Sequence, residues 1–272
     1  MNKIKRIILI ICFFGSMQIV MAQQTVFNVP SADVTPKDVL FLQHESQFRP
    51  WNPQSYWWGT HYAAYGIGHN TDIDMTLLNL SSPNSHNMSL GIGFKHSIPV
   101  FPKNETCRTR EIKVTVGSEV LIPLQNNGVG NWSYAHISGR LPKLNTRLTS
   151  GISVGTQQFT GTNCPVSFIA AIEQPVTKKL NIIGDWYSGN NNVYGFLIAG
   201  ISYQLPKDST IYLGYQIPNS AHNGKSGFVV ELSTFLPCKN CGKGINKEKN
   251  TSENQKITAN ILEDSTIESI DK

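Results

Sequence analysis

The chain has 272 residues, of which only 15% are charged, while Gly numbers 22 and Phe, Tyr and Trp together 26. An average soluble domain carries roughly 25% charge, so this composition argues against both an ordinary helical enzyme and a disordered chain. The formal net charge is +5, but Lys3, Lys5 and Arg6 lie in a segment expected to be removed, and the +2 that is left is too little to imply nucleic-acid binding.

Residues 1–22 read as a secretory signal: a basic start, an apolar run from Ile7 to Phe14, and Val20-Met21-Ala22 before Gln23. The run is too short to span a bilayer, and its small-residue end suits signal peptidase. The alternatives are a lipoprotein signal ending at Cys12, which lacks the usual small residues before the cysteine, and an uncleaved anchor helix. No later stretch is apolar enough for a membrane helix, so any further contact with a membrane must be made by strands. Residues 23–37 are expected to form an N-terminal periplasmic segment.

From residue 38 to 237 the chain alternates with period two between turn signals. This predicts twelve strands, at 38–49, 56–69, 71–81, 87–98, 110–123, 131–141, 145–159, 165–176, 179–188, 192–205, 209–217 and 226–236. The alternation is clearest where Met88, Leu90, Ile92 and Phe94 interleave with Ser89, Gly91, Gly93 and Lys95, and where Ile112, Val114 and Val116 interleave with Lys113, Thr115 and Gly117. Each strand therefore has one apolar face and one polar or glycine face. A soluble sandwich would bury the apolar face on a second sheet; an outer-membrane barrel would turn it to lipid. The stretches match the 9 to 11 residues or so of a tilted membrane strand better than the five or six of a typical sandwich strand. Gly-rich polar faces leave room inside a closed barrel.

Tight turns at 69–72, 141–145, 176–179 and 205–208 alternate with looser links at 50–55, 82–87, 125–130, 161–165, 189–192 and 218–226, as expected for a barrel with short turns at one end and longer loops at the other. The stretch 99–110 occupies a short-turn position yet is about a dozen residues long. Aromatics near strand ends (Phe48, Trp51, Tyr56, Trp57, Trp58, Trp132, Tyr134, Trp186, Tyr187, Phe235) suggest an interfacial girdle. The alternative is a ligand cleft around Trp51, Trp57 and Trp58. Residues 238–272 carry no aromatics and read as a disordered polar tail. Cys238 and Cys241, at CxxC spacing but without further ligands or a βαβ setting, suit a local disulfide or an inert pair better than zinc or redox chemistry.

Three stretches, Gly66-Ile67-Gly68-His69-Asn70-Thr71-Asp72-Ile73-Asp74, Gly184-Asp185-Trp186-Tyr187-Ser188-Gly189-Asn190 and Gly214-Tyr215-Gln216-Ile217-Pro218-Asn219, resemble the porin-like outer-membrane barrels found with phenol-degradation genes. The resemblance implies a strand-turn-strand unit for the first and strand ends entering outer loops for the others. His136-Ile137-Ser138 resembles the His-x-Ser of outer-membrane phospholipase A, which implies a nucleophile and its base. Here, however, Trp132, Tyr134, His136, Ser138 and Arg140 share the polar face, away from lipid.

The sequence thus predicts an all-β protein, a transmembrane up-and-down antiparallel barrel of about twelve strands over 38–237, in the bacterial outer membrane. Its expected role is that of a porin-like channel or small-molecule transporter, not an enzyme. The alternatives are a secreted or surface β-sandwich that binds a ligand, and a barrel lipid hydrolase. Its expected partners are outer-membrane lipid and small solutes or ions, with no nucleic acid and no cofactor or metal. The candidate lumen and selectivity residues are Glu45, Asp72, Asp74, Lys95, Glu111, Lys113, Glu119, Arg147, Glu173, Asp185 and Glu231. Their excess of carboxylates over three basic groups favours cations, and pairing across the bore would narrow it. Only 99–110 or the N-terminal stretch 23–37 is long enough to supply a plug.

Overall fold

Period-two alternation becomes twelve strands in the computed structural model, which describes residues 24–51, 57–82, 88–101, 111–125, 128–141, 144–160, 165–189, 195–220 and 226–237. In chain order they are β1 (Val39–Phe48), β2 (Trp57–Gly68), β3 (Thr71–Ser82), β4 (Ser89–Phe101), β5 (Ile112–Pro123), β6 (Gly130–Arg140), β7 (Arg147–Gly155), β8 (Val166–Pro175), β9 (Leu180–Tyr187), β10 (Phe196–Leu205), β11 (Ser209–Pro218) and β12 (Gly227–Pro237). Every strand pairs antiparallel with its chain neighbours. The sheet closes where β12 meets β1, with Val39 opposite Pro237 and Phe48 opposite Phe228. Closure leaves no edge strand, so the backbone N–H and C=O groups of the wall are paired within the sheet.

Local chemistry sets the turns. His69 and Asn70 both take left-handed backbone, at φ 51° and 54°, which gives the two-residue connection whose twist matches its flanking strands. Gly68, at φ 89°, absorbs a register shift just before it. Lys207 and Asp208 take the same conformation between β10 and β11. Two strand ends differ from expectation. β7 stops at Gly155, because Gln157–Thr160 closes a single helical turn in which Thr160 N donates to Thr156 O at 2.9 Å. β4 runs on to Phe101, paired with Ile112 through a shift at Pro99, so the long connection begins later. Among the described residues no helix is long and apolar enough to cross a membrane.

The two faces of the wall are inverted relative to a soluble protein. Ile152, Ile92 and Leu232 are 56%, 53% and 52% exposed on the outside, whereas Asp72, Lys95 and Glu231 are at most 1% exposed on the inside. This disposes of the sandwich alternative, since no second sheet covers Ile92, Ile152 or Val154. Alternation also divides the expected aromatic girdle. Phe48, Trp51, Tyr215 and Phe228 cluster outside at the looser-loop end, with Tyr215 and Phe228 rings 5.3 Å apart, and Phe168 stacks near Trp186 at 6.1 Å. Trp58, Trp132, Tyr134, Tyr187 and Phe235 face inward instead, because neighbours along a strand point to opposite sides. Tyr56 lies outside the described residues.

Ile152→Arg puts a charge in the middle of the outer face. It should cost about 2–4 kcal/mol of folding in a bilayer, read as a lower folded fraction by heat-modifiable migration in urea, whereas Ile152→Val should leave the folded fraction unchanged.

Candidate functional site: the bore and its inserted hairpin

The bore is filled by the chain's own N-terminal stretch. Of the stretch 23–37, expected as an N-terminal periplasmic segment and as one of two possible plugs, residues 24–37 run inside the barrel, with Val26, Phe27, Val29 and Ala32 at 2% exposure or less. A tight hairpin forms there: Val26 N donates to Val29 O at 2.9 Å, Thr25 pairs with Pro30, and Ser31 N donates to Gln24 O at 3.0 Å. The wall receives it where side chains are missing. A Cβ on Gly214 would stand 2.7 Å from the Phe27 ring, and a Cβ on Gly66 would run into Pro36 O where the segment leaves the bore beside β2. In the sequence the inner glycines signalled spare room; that residues 24–37 would take that room had no local signal beyond Val26, Phe27 and Val29.

Three polar clamps hold the insert. In the first, Asp185 Oδ2 accepts the backbone N–H groups of Phe27, Asn28 and Val29 at 3.0, 2.6 and 2.7 Å, while Tyr187 donates its hydroxyl to Asn28 O at 3.1 Å. One carboxylate thus satisfies three successive donors that the hairpin bend leaves over. In the second, Asp72 Oδ2 accepts from Thr35 N at 2.9 Å and from Gln24 Nε2 at 3.0 Å, and Lys95 Nζ donates to Gln24 O at 3.3 Å and to Gln24 Oε1. In the third, at the short-turn end, Asp33 pairs with Arg147 at 2.7 Å and with Lys113 at 3.4 Å, and Ser31 accepts from Arg147 at 2.9 Å. Burial by itself would raise the Asp33 carboxyl, but the cations Arg147, Lys113 and Arg140 and the hydrogen bond from Arg147 outweigh it and hold the carboxyl far below the ordinary carboxylate range.

All eleven sequence candidates can be placed. Asp72, Lys95, Arg147 and Asp185 hold the insert as above. Glu173 meets Arg147 at 3.3 Å, and Glu111 meets Lys113 at 2.8 Å and Arg140 at 3.2 Å. Glu231 accepts from Gln43, which also donates to Thr25 of the hairpin at 3.3 Å. Glu45, Asp74 and Glu119 line a cavity of about 130 Å³ between the hairpin and the wall of β1–β6. The cations do not pair with carboxylates on the far wall. Arg147, Lys113 and Arg140 bond to neighbours on the same or adjacent strands, and bridge the bore only through Asp33. Sequence reasoning missed Asp33, which no strand pattern marks, and Arg49, whose guanidinium lies 4.0 Å over the inner Trp58 ring.

His136 and Ser138 share the inner face, but nothing joins them. Ser138 Oγ accepts from Thr149 at 3.0 Å, while His136 stacks on Tyr134 and both its ring nitrogens lack a partner among the described residues. The two side chains therefore form no hydrogen-bonded pair in this structure. Among the described residues no group of three His, Cys, Asp or Glu is placed to hold a metal. Cys107, Cys164, Cys238 and Cys241 and the tail lie outside the described residues.

No family model matches the chain, so the resemblance to the phenol-degradation-associated porins rests on its three motifs alone. No curated protein matches it either. Among solved structures, the KdgM porin in complex with disordered oligogalacturonate is similar at 8% identity and TM-score 0.49, covering 72% of this chain and 98% of that one. The KdgM porin by itself gives 8% and 0.45 over the same shares. The Acinetobacter baumannii outer membrane protein Omp33 gives 10% identity and TM-score 0.40, over 73% of this chain and 97% of its own. The closed twelve-strand barrel is read from this chain's own pairing.

Two outcomes follow for the insert. Asp185→Asn keeps the shape but removes the charge that accepts three N–H groups; a loss of about 2 kcal/mol should speed amide exchange at Phe27, Asn28 and Val29 about thirtyfold. Because the Asp33 carboxyl is held below its unfolded value, its contribution is complete above about pH 4 and is lost as pH falls through the lowered pKa. The insert should therefore stay protected from exchange between about pH 5 and 8, and loosen only in stronger acid.

Proposed function

We propose that the protein resides in the bacterial outer membrane after removal of residues 1–22, as a channel for small solutes whose bore is closed at rest by residues 24–37. The observation that carries this reading is the inversion of the wall: a predominantly apolar exterior on a closed sheet, with charged groups turned inward. That arrangement suits hydrocarbon outside and a polar passage inside. The even strand number, with the N-terminal end of β1 and the C-terminal end of β12 both at the short-turn end, supports an orientation with that end toward the periplasm. The relation to phenol-degradation-associated porins belongs to the same reading.

The insert is held by polar clamps and by the packing of Val26, Phe27 and Val29 on the inner wall, with no continuous strand ladder, so it can leave without opening the wall. Its hairpin crosses the bore from Asp72 and Lys95 on one side to Asp185 on the other. With it in place, solutes are left with the cavity beside it. Within the bore and its insert, nine carboxylates (Asp33, Glu45, Asp72, Asp74, Glu111, Glu119, Glu173, Asp185 and Glu231) stand against five cations (Arg49, Lys95, Lys113, Arg140 and Arg147). The pairs concentrate at the short-turn end, which leaves the other half acidic and favours cations.

Membrane fractionation with heat-modifiable migration tests the location; recovery as a soluble periplasmic protein would end the proposal. In planar bilayers the intact chain should show small, infrequent steps. Deletion of residues 24–36, with the signal segment retained, should give larger and steadier ones that reverse toward the cation potential in a salt gradient. A deletion variant that folds as a barrel and stays silent would mean that the bore does not conduct.

A further inference from the structure

The cavity beside the hairpin has the chemistry of a ligand site. Its volume of about 130 Å³ is roughly ten times what one water needs. Its lining runs from Trp58 and Trp132, near the looser-loop ends of their strands, down to Lys95 and Gln24.

Two kinds of group converge on this space. Glu45, Asp74 and Glu119 supply carboxylates, and Tyr62, Trp132 and Tyr134 supply aromatic rings. Glycines on the inner face draw the groups into place: a Cβ on Gly93 would stand 2.7 Å from Asp74 Oδ1 and 3.1 Å from Glu119 Cα, the Glu119 carboxylate lies over Gly91, and the Tyr134 ring lies over Gly117. Glu119 is more than nine-tenths buried, and its Oε1 has no hydrogen-bond partner among the described residues. Asp74 takes part in no ion pair there. Lys95, at the deep end, is held by Gln24. Arg49 stacks on Trp58 and donates to Gln47 at 2.9 Å. Three buried or half-buried carboxylates against Lys95 as the one Lys or Arg among the described lining residues, walled by ring faces, suit a ligand that brings positive charge and tolerates a dry surface.

We infer that this cavity binds a compact organic ammonium ion, with Glu119 and Asp74 facing its charge and Tyr62, Trp132 and Tyr134 packing on its carbon. An inorganic cation would leave the rings without a role, and a neutral polyol would use the carboxylates as hydrogen-bond acceptors but bring no charge to balance theirs. The hairpin forms one wall through Gln24, Thr25 and Phe27, so a bound ligand touches the insert itself. The inference deepens the channel reading, on which it rests for the ligand's entry.

The test is calorimetric titration of the whole folded barrel in detergent with choline and with 3,3-dimethylbutan-1-ol, which has the same shape without the charge. Choline should bind, and the alcohol should bind at least about tenfold more weakly. Glu119→Gln combined with Asp74→Asn should weaken choline by a similar factor, with heat-modifiable migration confirming that the variant is folded. Equal binding of choline and the alcohol, preferential binding of a neutral sugar, no choline binding at millimolar concentration, or choline binding unchanged in the folded variant would each overturn the site. Choline binding in a protein whose bilayers stay silent after the deletion would uphold the site and overturn the channel. Conduction without choline binding would do the reverse.

Discussion

Closure of the sheet is the constraint from which the other features follow. Once β12 pairs with β1, every strand has an inside and an outside and no edge remains on which to compromise. Most apolar residues of the strands take the outer face, some such as Phe41, Ile169, Ile183, Ile198 and Val229 turn inward, and the charged residues that share those strands are forced into a confined bore. A charge confined away from bulk water must find partners or neutralise. The interior is therefore organised both by the need to satisfy charges and by an apolar cluster in which Val26, Phe27 and Val29 of the hairpin pack against Ile169, Ile183, Phe196, Ile198 and Val229 of the wall.

The N-terminal hairpin answers much of that need. Arg147 would otherwise face Lys113 and Arg140 in a narrow ring of cations with only Glu111 and Glu173 between them; Asp33 enters that ring and pairs with two of its members. Asp185, deep on the wall of β9, has no cation to meet and takes three backbone N–H groups in its place. The hairpin gains as much, because a bend with unsatisfied amides inside a barrel would otherwise be costly. Wall and insert thus complete each other's hydrogen bonding, while Val26, Phe27 and Val29 add apolar packing to the contact.

The inner glycines make this economy of space work. On a soluble sheet Gly91, Gly93, Gly117 and Gly214 would weaken the strands for no return. Inside this barrel they let carboxylates and rings lie flat against the wall and let Phe27 dock where a side chain would block it. The cavity at one side of the hairpin exists because the side chains lie along the wall there instead of projecting across the bore.

Strand number and the two-faced character of the strands were legible in the sequence, because period-two alternation is a property of the backbone that needs no tertiary information, but the inward facing of Trp58, Tyr187 and Phe235 was not. Gly91, Gly93 and Gly117 among apolar residues were legible as an inner face for the same reason. The two-sided pattern alone was compatible with a sandwich, and only the pairing of β1 with β12 decided for a barrel. Length alone marked residues 23–37 as one of two stretches able to supply a plug, but how the stretch docks was not legible: it has no alternation, and its partners Asp72, Lys95, Arg147 and Asp185 stand 37 to 158 residues away in the chain. Which cations pair with which carboxylates was likewise decided by tertiary structure, because pairing depends on distances across a closed bore, whereas composition supplies only the count.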